Sequence, residues 1–134
     1  ESSRRARGFA VYAAIRSLGR TGIADLVDRS CRLATRMARH IAQEPGVVVL
    51  NDVVLNQVLV RIESPDGRDG AELTRAVIAG IQSDGTCWLG GTRWHDQQAM
   101  RISVSGWSTT ESDIDRSADA IRRVIRRTLA ADPG

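Results

Sequence analysis

Thr86-Cys-Trp-Leu-Gly-Gly-Thr-Arg-Trp-His-Asp-Gln-Gln-Ala-Met-Arg-Ile-Ser-Val-Ser-Gly-Trp-Ser-Thr-Thr110 is the stretch on which the fold turns. It holds all three tryptophans, one of the two histidines and a Gly90-Gly91 break. From Ala99 onward the alternation is that of a half-buried strand. Met100, Ile102 and Val104 point one way, and Arg101, Ser103 and Ser105 the other. The apolar face belongs to the core. Arg101 then projects from the opposite face, at the end of the strand nearest the Gly90-Gly91 loop. A guanidinium held on a strand can grip a carboxylate, because its planar fork donates two parallel hydrogen bonds. The plainer reading of the same residue is a solvated strand arginine.

Length and composition narrow the field. The chain has 134 residues, enough for one domain with a genuine core and little room for a second. No apolar run reaches the length of a membrane span, and 42% hydrophobic content is that of a folded chain. Cys31 and Cys87 stand alone, without metal-ligand spacing, so a reducing cytoplasm is the expected compartment and no metal is implied. All 19 basic residues are arginine. Chemistry that needs a lysine amine, such as a Schiff base, therefore has no side chain here to carry it. The net charge is only +3, and many arginines sit at helical spacing from an acid, which argues against nucleic acid as a partner.

Along the chain, Glu1-Ser2-Ser3-Arg4-Arg5 opens without an initiator methionine, as a point inside a longer polypeptide would. Ser2 or Ser3 can cap a first helix with Phe9, Tyr12, Ala13 and Leu18 along one stripe, ending at Gly19. A second helical pattern runs from Ile23 to Ile41 and ends at Pro45-Gly46, with Asp25–Arg29 and Asp28–Arg32 as pairs on its wet side and His40 near its C-terminal dipole. Val47 to Leu50 and Val53 to Glu63 read as strands. Ser64-Pro65-Asp66-Gly67 is a turn, and a shorter helix with Leu73, Val77 and Ile81 facing inward closes at Asp84-Gly85. Two more strands follow, about Thr86 to Leu89 and Ala99 to Ser105, joined by a loop over 90–97. Thr110 with Asp113 has capping-box spacing ahead of a last helix whose stripe is Ile114, Ala118, Ile121, Ile125 and Leu129. Its arginines lie within reach of Asp115 or Asp119. The fold class is therefore α/β (α+β): a small, mainly antiparallel sheet of three or four strands with helices packed on one face, preceded by a linking helix. No phosphate loop, zinc spacing or nucleophile elbow is present.

Several segments together resemble one enzyme family. Ser3-Arg4-Arg5 with Phe9, Ala14-Ile15-Arg16-Ser17-Leu18-Gly19 and Gly22, ahead of a long helix, is similar to the passage from large to small domain in group II pyridoxal-phosphate-dependent amino-acid decarboxylases. Those are the aromatic-amino-acid, histidine and glutamate decarboxylases. Leu55 to Arg61, Met100 to Ser105 and Thr109 to Asp115 resemble the C-terminal domain of the same family, in order. The resemblance divides the chain into a linking helix over 1–20 and a C-terminal small domain over 21–134. It implies a fold-type I lyase, homodimeric and cytoplasmic, whose large domain holds pyridoxal 5'-phosphate on a lysine that this chain does not contain.

By the same resemblance, Arg101 occupies the strand position that contacts the substrate carboxylate in glutamate-decarboxylase-like members. The small domain closes over the site and excludes water, while the loop over 90–97 supplies walls. Trp94 and His95 in that loop could reach an amino-acid substrate, although a hydrophobic plug and a solvated imidazole are the plainer reading. Trp88 and Trp107 are read as packing residues. Two other readings stay open. One is the small domain of another fold-type I enzyme, such as an aminotransferase. The other is a stand-alone interaction module using the basic last helix.

Overall fold

The computed structural model describes residues 2–51, 56–85, 89–104 and 109–131, with side chains described from Gly19 onward. Three helices and four strands follow one another: α1 (Ser2–Ala42), β1 (Val47–Val49), β2 (Gln57–Ile62), α2 (Gly70–Asp84), β3 (Gly90–Trp94), β4 (Gln97–Ser103) and α3 (Glu111–Ala130). The strands form one sheet in the order β1-β2-β4-β3, every neighbouring pair antiparallel.

Alternation along the strands places the core. Val58, Val60 and Ile62 of β2 and Met100 and Ile102 of β4 all lie on the face covered by helices. Leu33, Met37 and Ile41 of α1 and Leu73, Val77 and Ile81 of α2 meet them there. Helix α3 packs against both α1 and α2, turning Ile114, Ala118, Ile121 and Ile125 into the same cluster. Each of these stripes follows the 3.6-residue period read from the sequence. Close packing shows at Gly80, where a Cβ would stand 2.6 Å from Val124 of α3.

Local signals set most boundaries. Thr110 accepts from the Asp113 amide while Asp113 accepts from the Thr110 amide, the reciprocal box expected at the start of α3. Asp69 caps α2 by accepting from Ala71, and Gly85 ends it in the left-handed conformation. Arg68 then ties the two helices together across space. Its Nη2 donates to the Leu129 carbonyl at 2.6 Å and its Nη1 to the Ala131 carbonyl at 3.1 Å, satisfying acceptors at the C-terminus of α3.

Four expectations need correction. Thr21-Gly22 does not separate the two leading helices, although within Ser2–Ala42 they part at Gly19 as expected. There φ is 68° and ψ −172°, a combination open to glycine, and helical geometry resumes through Thr21-Gly22 because nothing in that pair forbids it. The segment over 90–97 is a hairpin and no loop: Gly90 and Gly91 lie in β3, and the turn falls at His95-Asp96. Both turn residues have positive φ, 47° and 64°, the backbone that matches the twist of a two-residue hairpin. The last strand spans Gln97–Ser103 in place of Ala99 to Ser105, and Ser105 lies outside the described residues. Asp115 and Asp119 face α1 instead of the arginines of their own helix: Arg36 donates to both Asp115 oxygens at 2.8 Å, and the His40 Nε2 stands 3.9 Å from Asp119. The expected strand over Thr86 to Leu89 falls largely on residues 86–88, outside those described, as do Trp88 and Trp107 and the start of the strand expected from Val53.

Candidate substrate-facing surface

The face of the sheet away from the helices carries the residues at issue. On β4 it bears Gln97, Ala99, Arg101 and Ser103, and on β2 Gln57, Leu59 and Arg61, by alternation from the core positions. Register sets their neighbours. Arg101 lies opposite Leu59 on one side and opposite Gly90 on the other, so the three form a single row across β2, β4 and β3. Leu59 is only 9% exposed and Ala99 is fully buried, although neither faces the helices. The floor beside Arg101 is thus apolar. The Arg101 side chain is half-buried and, among the described residues, makes no hydrogen bond or ion pair.

Arg61 is the second guanidinium on this face. One register step beyond the Val60–Met100 pair sets it opposite Ala99. Its Nη2 donates to the Glu63 carboxylate, and its Nε is buried with no partner among the described residues. Arg61 also lines a cleft of about 490 Å³ with Glu63, Arg68, Asp69, Gln97 and Gln98, at the end of the sheet beside the start of α2. Most of the ionic side chains there are engaged, Asp96 being the lining acid for which no side-chain bond is described. Arg61 bonds Glu63, Arg68 bonds Asp66 and the end of α3, and Asp69 caps α2. Arg101 is not among its lining residues.

The three side chains singled out from the sequence do not form one cluster. Arg101 pairs with Gly90, whereas Trp94 pairs with Gln97 at the other end of the hairpin. Four residues of extended strand put them about 13 Å apart along β4. Trp94 is half-buried and His95 exposed, and their rings meet edge to face with centroids 4.6 Å apart. Sequence reasoning missed Arg61 and the glycine opposite Arg101. The alternation Gln57, Leu59, Arg61 was the signal for the first, and pairing it with β4 needed the register.

Electrostatics elsewhere serve the fold. Glu44, at the end of α1, is 6% exposed and accepts from Arg126 Nη2 at 2.7 Å and Arg122 Nε at 3.0 Å. The Arg126 hydrogen bond, with that of Arg122 and against the cost of burial, holds the Glu44 carboxyl below the usual carboxylate range. Among the described residues no cluster of His, Cys, Asp or Glu could hold a metal ion, and no helix is long and apolar enough to cross a membrane. With no lysine in the chain, no side chain here can join pyridoxal phosphate in an imine.

No family model matches the chain. It is 30% identical over 125 residues to the probable glycine dehydrogenase (decarboxylating) subunit 1 of Erythrobacter litoralis, a match covering 90% of this chain and 25% of that protein. In structure it is similar to Catharanthus roseus tryptophan decarboxylase in complex with L-tryptophan, with a TM-score of 0.77 and 16% identity over 86% of this chain and 24% of that one. The 4-hydroxyphenylacetaldehyde synthase of Rhodiola rosea gives 0.76 and 19%, over 87% and 25%. The glutamate decarboxylase domain of a diaminobutyrate-pyruvate transaminase and L-2,4-diaminobutyrate decarboxylase from Vibrio parahaemolyticus gives 0.70 and 20%, over 87% and 25%. The chain spans about a quarter of the length of each. Its fold is that of the small α/β domain of pyridoxal-phosphate enzymes of fold-type I. Within that class it has the small-domain fold of the group II decarboxylases, as the sequence resemblance implied.

Proposed function

We propose that the chain is the C-terminal small domain of a pyridoxal-phosphate-dependent amino-acid decarboxylase, inactive alone, and that it orients a substrate carboxylate and closes the active site. Residues 1–20 link it to a large domain that carries the cofactor lysine, in a cytoplasmic homodimer. The observation that supports this most is Arg101. It is a half-buried guanidinium on an apolar floor, without a described partner, on the face away from the helices of a sheet whose fold recurs in decarboxylases. A cation so placed offers a bidentate site to a planar anion. Holding the substrate by its carboxylate fixes which bond stands ready to break, and sheet and hairpin exclude water around it. The cofactor supplies the electron sink from the remainder of the enzyme. Trp94 and His95, at the far end of the hairpin, touch substrate only where it extends along β4.

Arg101→Ala in the full-length enzyme is expected to lower kcat/KM by about 10- to 100-fold, the cost of a lost charged hydrogen-bond pair, while cofactor absorbance stays as in the wild type. Unchanged kinetics would retire the assignment. The 30% match to a probable glycine dehydrogenase (decarboxylating) keeps in view the small domain of another fold-type I enzyme, and an aminotransferase is the alternative whose reaction differs most. Product analysis separates the two, since a decarboxylase releases carbon dioxide and an amine and an aminotransferase a keto acid.

A further inference from the structure

The two adjacent glycines of β3 have different reasons to be glycine. A Cβ on Gly91 would stand 3.1 Å from Gln98 Nε2 and 3.4 Å from Ile78 Cδ1, so α2 and β4 crowd that position. Gly90 meets no such neighbour: a Cβ there would find nothing within 4 Å among the described residues. Nor does its backbone require glycine, since its φ is not among the positive values. Glycine weakens a strand that β-branched residues would favour, and in a strand interior it often marks the close approach of a ligand or another backbone. Gly90 lies directly opposite Arg101, on the face away from the helices. Among the described residues the missing side chain leaves open space on β3 opposite Arg101, and Leu59 flanks Arg101 on the other side.

We propose that Gly90 is a specificity-determining residue: its missing side chain makes the room in which the substrate carboxylate reaches Arg101. The inference rests on the Arg101 reading above. It assigns the pocket's size at this end to one position, so a substrate group that reaches Arg101 over Gly90 must be narrow enough to lie flat on the sheet. Any side chain at 90 stands in the cross-strand row where the carboxylate must lie.

The test compares Gly90→Ala, Gly90→Val, Arg101→Ala and Gly90→Val/Arg101→Ala in the full-length holoenzyme. The probe is whichever of L-tryptophan, L-glutamate and L-2,4-diaminobutyrate the wild type decarboxylates fastest. Gly90→Val, which adds three carbons, is expected to raise KM about tenfold or more, since even one extra carbon in a pocket costs on that scale, with Gly90→Ala in between. Melting temperature and cofactor absorbance should stay near wild type. The double variant should be little worse than Arg101→Ala alone, because both changes remove the same contact. If Arg101→Ala is damaging and Gly90→Val is silent, the role of Gly90 falls and the carboxylate reading stands. If both are silent, both fall. A Gly90→Val enzyme that has lost stability would show that the glycine serves packing, and would overturn the inference.

Discussion

Thr74 offers a sharp test of the packing argument. It sits in the first turns of α2 with no exposed surface, and its hydroxyl makes two bonds. It donates to the Gly70 carbonyl at 2.7 Å and accepts from the Ile62 amide at 3.0 Å. The second bond matters more. The β2–β4 pairing runs from Gln57–Ser103 to Val60–Met100, so the Ile62 amide lies past the paired stretch and the threonine oxygen takes it up. Thr74→Val keeps the shape and removes that acceptor. A buried N–H left without a partner costs about 1–3 kcal/mol. For a domain of this size that lowers the melting temperature by roughly 3–5 °C per kcal/mol. Thr74→Ser keeps the hydroxyl and loses one methyl, at about 0.5–1.5 kcal/mol. Urea denaturation followed by circular dichroism should therefore rank wild type above Ser and Ser above Val, with equal m-values. A valine variant as stable as the wild type would refute the reasoning.

Two further outcomes follow from the same packing. Gly46, with φ at 94°, leaves no room for a Cβ, which would lie 2.7 Å from Leu129 Cδ1 and 2.8 Å from the Glu63 carbonyl, so Gly46→Ala should cost about 1–3 kcal/mol in the same assay, and a change under about 0.5 kcal/mol would contradict it. Glu44→Gln removes a carboxylate whose folded pKa is depressed by Arg126 and Arg122. Such a group adds stability that is present above its unfolded pKa and is lost as pH falls through its folded pKa. Wild type should therefore exceed the variant at neutral pH, with the gap narrowing on acidification. A gap constant from neutral to acid pH would show that the carboxylate's ionisation is not what stabilises the α1–α3 junction.

Signals between residues close in sequence were readable, and the β3–β4 hairpin was not. The break at Gly19, the capping box of Thr110 and Asp113, and the inward faces of β2 and β4 were legible because each depends on residues only a few positions apart. The hairpin was misread because Gly90-Gly91 carries the usual loop signal and His95-Asp96 does not. The turn falls where strand pairing puts it, and pairing Gly90 with Arg101 leaves only His95 and Asp96 outside the ladder. Asp115 and Asp119 were assigned to arginines of their own helix for a similar reason. Spacing along α3 is visible in sequence, whereas the approach of Arg36 and His40 from α1 is not.

Taken alone, the residue order determined the helices with their buried stripes, the inward faces of β2 and β4, the exclusion of covalent imine chemistry from this segment, and Arg101 on the face away from the core. Helical period, strand alternation and the absence of an amine are properties of the chain itself. The strand order β1-β2-β4-β3, the row joining Leu59, Arg101 and Gly90, and the separation of that row from Trp94 and His95 were decided only in three dimensions. Pairing brings together residues tens of positions apart, and the choice of partner depends on how a whole sheet and three helices bury their apolar faces at once.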